Sequence, residues 1–243
     1  KILDDNGVAP LHFFFFLQHP EMTKYLVDAG ADVNALTARR WSPLLYAAIF
    51  GPDETARLLI DAKADVNVKN NTGLTPLHSA TSFGRTGMVK ILVDNGARID
   101  EQDEHGDTPL MLARNQNTVD AVKYLLEKGA NAKHKNKFGR TPLMSAASRG
   151  TADLVELYLN RGVDINAVDS NGWTALHMTI WARDPDAISK YLILQGADVN
   201  PAFCRHGRQG GCCNGVTTPL HVAASAGQPA LVRNLVGNGA KIN

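Results

Sequence analysis

The sequence predicts an all-α repeat solenoid, about seven helix–turn–helix units stacked in series, and three observations predict it. A four-residue phrase begins at Ala9, Ser42, Thr75, Thr108, Thr141 and Thr174, five consecutive intervals of 33 residues, and returns at Thr218, 44 residues after the sixth. The phrase itself reads as a helix start, for example Thr75-Pro76-Leu77-His78 and Thr141-Pro142-Leu143-Met144. Between phrases, apolar residues recur at helical spacing. A fixed period in this range marks a stacked architecture, in which no unit can bury its apolar face alone.

The stretch from Asn70 to Asp100 shows each element in order. Asn71-Thr72-Gly73 is turn chemistry, because Gly73 takes a positive φ without steric cost. Thr75 suits an N-cap, and Pro76 falls at the first helical position, where its missing N–H loses nothing. Leu77 and Ala80 give the apolar stripe of a short first helix, which Gly84 breaks. Val89, Leu92 and Val93 mark a second helix, and Gly96 follows the last periodic residue, as a left-handed helix stop requires. Ala97 to Asp100 then lead into the next turn.

A second phrase repeats in phase with the first: Gly30-Ala31-Asp32-Val33-Asn34, Ala64-Asp65-Val66-Asn67, Gly162-Val163-Asp164-Ile165-Asn166 and Gly196-Ala197-Asp198-Val199-Asn200. Together the two phrases resemble the ankyrin repeat over essentially the whole chain. The resemblance implies an L-shaped unit, two antiparallel helices with a β-hairpin loop at their base. The repeats are expected at about 4–36, 37–69, 70–102, 103–135, 136–168, 169–200 and 214–243, with an insertion at 201–215, and the whole reads as one array cut from a longer protein.

Charge excludes one class of partner. The net charge is +1, from 25 Lys and Arg against 24 Asp and Glu, mildly acidic before residue 68 and basic after residue 200. That lacks the dense basic stripe of a nucleic-acid footprint. The run Phe13 to Leu17 is far short of the ~20 residues of a membrane-spanning helix. No membrane insertion is expected; the expected state is a monomeric array, and the expected location is intracellular, cytoplasmic or nuclear.

Departures from the beat are where function would show. Phe13 to Phe16 stand where small residues usually let helices approach, and Phe14 and Phe15 read as core. Arg40 replaces a turn Gly and Lys63 a helix-stop Gly. A non-Gly residue at positive φ costs roughly 1 kcal/mol, so these turns are expected to be reshaped. Asn117 stands at the mid-repeat Gly position, a mild change because Asn tolerates the left-handed region. The spacing from Thr174 to Gly196 is 22 residues against 21 in other repeats. The insertion carries all three cysteines. Cys204, His206, Cys212 and Cys213 have the chemistry of a Cys₃His zinc set, but their spacing fits no standard pattern and adjacent cysteines are awkward co-ligands. The reading is a loop with reduced thiols and no metal; a disulfide from Cys204 is left open for an oxidising setting.

No phosphate-binding loop, nucleophile elbow or helical zinc-protease motif is present. His12, His78, His177 and His221 share one repeat position, where the resemblance implies a structural hydrogen bond to the turn backbone. No enzymatic activity and no cofactor are expected. The resemblance instead implies a protein or peptide bound on a concave groove of hairpin tips and first-helix ends. Carried over position by position, that groove holds Phe16, Leu17, Arg39, Trp41, Ile49, Phe50, Leu74 and Phe83, then the polar His105, Asp107, Asn115 and Gln116. It continues through Phe138, Arg140 and Arg149 to Trp173 and Trp181. An aromatic strip of this kind is the expected core of a protein-binding patch, with an acidic ligand segment expected near Arg140 and Arg149. The alternative is a regulatory or substrate-recruiting domain of a larger enzyme or membrane channel.

Overall fold

Five of the seven recurrent phrases start an α-helix and two a 3₁₀ turn in the computed structural model, which describes residues 8–13, 19–149, 151–201 and 217–242. In chain order the helices are α1 (Pro20–Asp28), α2 (Pro43–Phe50), α3 (Asp53–Asp61), α4 (Pro76–Ser82), α5 (Thr86–Asp94) and α6 (Val119–Glu127). They continue as α7 (Pro142–Arg149), α8 (Ala152–Leu159), α9 (Ala175–Met178), α10 (Pro185–Leu194), α11 (Pro219–Ser225) and α12 (Pro229–Gly237). Short 3₁₀ turns at Pro10–His12, Pro109–Leu112, Gln116–Thr118 and Thr179–Trp181 complete the pattern. Among the described residues there is no strand, so the architecture is an all-α repeat solenoid. The hairpin loops are closed by pairs of backbone bonds instead, such as Asn70 N–H to the Leu74 carbonyl at 3.1 Å and Gly73 N–H to the Asn70 carbonyl at 3.0 Å.

The caps behave as the residue types require. Ser42 accepts from the Leu45 N–H at 3.2 Å and Thr75 from the His78 N–H at 3.4 Å, each satisfying a helix-terminal donor. The phrase leucines Leu11, Leu44, Leu77, Leu110, Leu143 and Leu176 are all buried, and Ala47, Ala48, Ala146 and Ala147 beside them let neighbouring helices approach.

Contacts divide the chain into two compact units, residues 1–112 with 120–130 and residues 113–119 with 131–243. In the first, α1 packs on α3, α2 on α4, α3 on α5, and α4 on the Pro109–Leu112 turn. In the second, α7 packs on α8 and α9, α10 on α8 and α12, and α11 on α12.

Two expectations need correction. Arg40 and Lys63 do not reshape their turns: they hold φ of 58° and 70°, and they are the non-Gly residues at positive φ among those described. Lys63 keeps the helix-stop bonds, its N–H to the Ile60 carbonyl and Ala64 N–H to the Leu59 carbonyl, both 2.9 Å. At the matching position Gly96 has φ 88° and the same pair of bonds, Gly96 to Val93 and Ala97 to Leu92. Closing the helix end against the next repeat outweighs a local strain of roughly 1 kcal/mol. Lys63→Gly is therefore expected to stabilise the chain by about 0.5–1 kcal/mol in urea denaturation; no change, or a loss, would show that the strain is absent.

Asn117 is the second correction. It does not take the left-handed conformation; it lies in the Gln116–Thr118 turn. The change falls earlier, where Pro109–Leu112 forms a 3₁₀ turn in place of an α-helix. The position of His78 is held there by Met111, and the buried Thr108 hydroxyl has no hydrogen-bond partner among the described residues.

Candidate partner-binding site

Tight loops position the candidate residues, and one recurring device builds those loops. An oxygen at the first loop residue accepts two backbone N–H groups. Asn70 Oδ1 takes those of Thr72 and Leu74, Asp103 Oδ1 those of His105 and Asp107, Asn136 Oδ1 those of Phe138 and Arg140, and Asp169 Oδ1 those of Asn171 and Trp173. At Thr37 the hydroxyl accepts one such N–H, that of Trp41, at 3.0 Å. Each loop therefore presents its tip residue and the residue before the next helix in a set direction.

His12, His78 and His177 tie their loops to the next. His78 Nδ1 accepts from Thr75 N–H at 3.2 Å while Nε2–H donates to the Asp107 carbonyl at 3.0 Å. His12 reaches the Trp41 carbonyl at 3.2 Å, and His177 the Thr217 carbonyl at 3.3 Å, in the same way. These bonds need the neutral imidazole, one nitrogen accepting and the other donating. Burial holds the His78 and His177 pKa values below the ordinary histidine value.

In the first unit a cleft of about 510 Å³ opens beside α2, lined by Val8, Thr37, Ala38, Arg39, Trp41, Tyr46, Ile49 and Phe50. Arg39, Trp41, Ile49 and Phe50 are brought together there. Trp41 is half-buried, its ring 5.1 Å from Tyr46 and tilted at 46°, and Tyr46 meets His12 edge-on at 5.9 Å. Phe50 stays 44% exposed, and Phe83, one repeat on, 56% exposed. The end of α2 is closed from outside: Arg85 donates to the Ala47 and Ile49 carbonyls and pairs with Asp53 at 3.2 Å. Cations placed on terminal carbonyls satisfy groups the helix leaves open.

Thr37, Ala38 and Tyr46 line the cleft without belonging to the expected set, and Tyr46 is the aromatic among them. Its signal was present, since a bulky ring stands where the third and fifth repeats carry Ser79 and Ser145.

The remaining positions separate. Leu74 is half-buried; His105 is exposed, its Nε2 3.5 Å from Glu104; Asp107 is half-buried, and its carbonyl serves His78. In the second unit Gln116 donates to Asp153, Asn115 is exposed, and Phe138 is 49% exposed at its loop tip. Arg140 Nε forms an ion pair with Asp169 Oδ2 at 3.5 Å while its side chain stays 45% exposed; Arg149 is exposed on α7. Trp173 and Trp181 stack at 5.1 Å and 15°, with Trp181 52% exposed and Trp173 packed on His177 at 5.8 Å. Phe16, Leu17, Cys204, His206, Cys212 and Cys213 lie outside the described residues. Among the described residues no group of three or more His, Cys, Asp or Glu is placed to hold a metal, and no helix is long and apolar enough to cross a membrane.

Comparison with known proteins agrees with this geometry. Three copies of a family model described as ankyrin repeats match residues 1–70, 62–136 and 114–203, and an ankyrin-repeat model matches 217–243. A segment of 45 residues is 47% identical to the transient receptor potential cation channel subfamily A member 1 of Drosophila melanogaster. That segment is 18% of this chain and 4% of the channel.

Proposed function

Because the chain belongs to the ankyrin-repeat family, whose repeats generally serve protein interaction, we propose that it is a non-enzymatic module that binds a protein or peptide partner. The site is the face made by hairpin tips and first-helix ends. The observation that carries this is the cleft beside α2, whose lining includes Trp41, Tyr46 and Phe50 and whose Phe50 edge remains 44% exposed. Stacking of repeats accounts for Leu44, Leu45 and Ala48 pointing inward. Phe50 and Phe83 stand at matching positions of successive repeats and remain 44% and 56% exposed. Aromatic anchors beside a concave surface are the residues that dominate protein interfaces.

Trp41 is a poor probe of this reading, since its ring packs on Tyr46 and its loss would disturb the fold. Phe50→Ser and Phe83→Ser test it directly. The double variant is expected to weaken a captured partner by a factor of about ten or more while the thermal midpoint moves by only a few degrees. Undiminished capture would remove this face from the reading. A large loss of stability would show that both rings are structural.

The match to the channel segment favours a second reading, that the repeats recruit or regulate within a larger channel or enzyme. The complete reading frame decides it: a membrane or catalytic domain in the same polypeptide supports this second reading.

A further inference from the structure

We propose that the cleft beside α2 takes an acidic, apolar segment of a partner protein, with one bulky apolar side chain seated among Trp41, Tyr46 and Phe50 and a neighbouring carboxylate on Arg39. This rests on the reading above that the cleft is the partner site, and it names the chemistry that the site selects.

Three observations lead there. First, the backbone of the wall is already committed. Thr37 N–H bonds to the Trp41 carbonyl at 3.0 Å, Arg40 N–H to the Thr37 carbonyl at 2.8 Å, and the Arg39 carbonyl accepts from Asn71 N–H at 3.2 Å. The Trp41 N–H is held by Thr37 Oγ1, and the Ile49 carbonyl by Arg85. With these groups bonded, and the rest of the wall a tight turn and helix α2, the cleft offers no extended sheet edge among the described residues for a ligand to join as a strand. Recognition must run through side chains.

Second, those side chains are of two kinds. Trp41, Tyr46, Ile49, Phe50 and Val8 are apolar or aromatic, and Arg39 is the charged member of the lining. No carboxylate lines the cleft among the described residues. Third, the nearby cations differ in their engagement. Arg85 is spent on two carbonyls and Asp53, whereas exposed Arg39 has no ion pair among the described residues. A guanidinium on an apolar rim favours a carboxylate, which it can grip through two parallel N–H groups. At about 510 Å³ the cleft lies within the usual size of small-ligand pockets, roughly 300–1,000 Å³, enough for a peptide anchor and its neighbour.

A phage-displayed library of random dodecapeptides, selected on the 243-residue chain, tests this. Enriched peptides are expected to carry Leu, Phe or Trp with Asp or Glu close beside it. In fluorescence polarisation with a synthetic enriched peptide, Phe50→Ser and Arg39→Glu are each expected to weaken binding, the latter by about five- to tenfold. Arg39→Lys is expected to retain most of the affinity. A peptide whose acid is changed to Lys is expected to recover binding on Arg39→Glu alone. Enriched peptides that need Phe50 yet carry no acid and ignore Arg39→Glu would overturn this inference and leave the binding-module reading standing. If no peptide is enriched, or if binding ignores Phe50→Ser as well, both readings of this cleft fall. A small apolar molecule or a second copy of the chain would then be the occupant to test.

Discussion

Replacing His78 with alanine is expected to cost the chain about 2–4 kcal/mol of stability, the combined scale of a buried donor left unpaired and a cavity in a packed site. The ring is completely buried. Its Nδ1 accepts from the Thr75 N–H and lies 2.9 Å from the Thr75 hydroxyl, and its Nε2–H reaches the Asp107 carbonyl one repeat away. Alanine leaves the Thr75 N–H without an acceptor. The Asp107 carbonyl keeps a bond from Asp103 N–H at 3.0 Å, so the loss falls mainly on the Thr75 side and on packing. Urea denaturation of wild type and variant measures it; a change under about 1 kcal/mol would show that the bridge is dispensable.

The same site predicts a pH dependence of definite sign. In the folded chain the pKa values of His78 and His177 lie below 6.5, chiefly through burial. The unfolded chain therefore binds protons first as pH falls. The stability contribution is complete above about 6.5 and declines as pH falls from there toward the folded values, with a limiting slope of about 1.4 kcal/mol per pH unit for each group. His78→Ala should shallow that slope. An identical slope in the variant would exclude His78 as a contributor.

Asp169→Ala carries the second large effect, again about 2–4 kcal/mol, through a loop rather than a helix. Asp169 is buried, and its Oδ1 holds the Asn171 and Trp173 N–H groups at 2.8 and 3.0 Å. Alanine would orphan both and release Trp173 from its stack on Trp181 and His177. Asp169→Asn should behave differently. Asn70 and Asn136 do the same work in other loops with a neutral amide oxygen, so most of the stability should return. Arg140 would lose its counter-ion and become available to an acidic partner. Thermal and urea unfolding of the two variants decide the point; equal losses would place the energy in the charge rather than in the two hydrogen bonds.

The repeat beat, the caps and the helix stops could be read directly because their causes are local. Thr75, Pro76 and Gly96 act on backbone within a few residues of themselves, and the family follows from their recurrence. The candidate face was legible only as a set of positions. Phe50, Phe83 and Phe138 emerge exposed from that set, whereas Trp41 and Trp173 are half-buried against Tyr46 and His177. Arg140 met Asp169, a residue 29 positions on that no local pattern pairs with it.

By itself, then, the sequence determined the period and the all-α stacked fold, since each rests on signals repeated in phase. The tertiary structure alone decided which of the candidate side chains face outward. It also decided that Arg40 and Lys63 endure positive φ, that Pro109–Leu112 tightens into a 3₁₀ turn, and that Arg85 closes the end of α2. The reason is range. Arg85 reaches the Ile49 carbonyl from 36 residues on, Asn71 the Arg39 carbonyl and His78 the Asp107 carbonyl, and at that separation packing against a neighbour outweighs the local preference of any one residue.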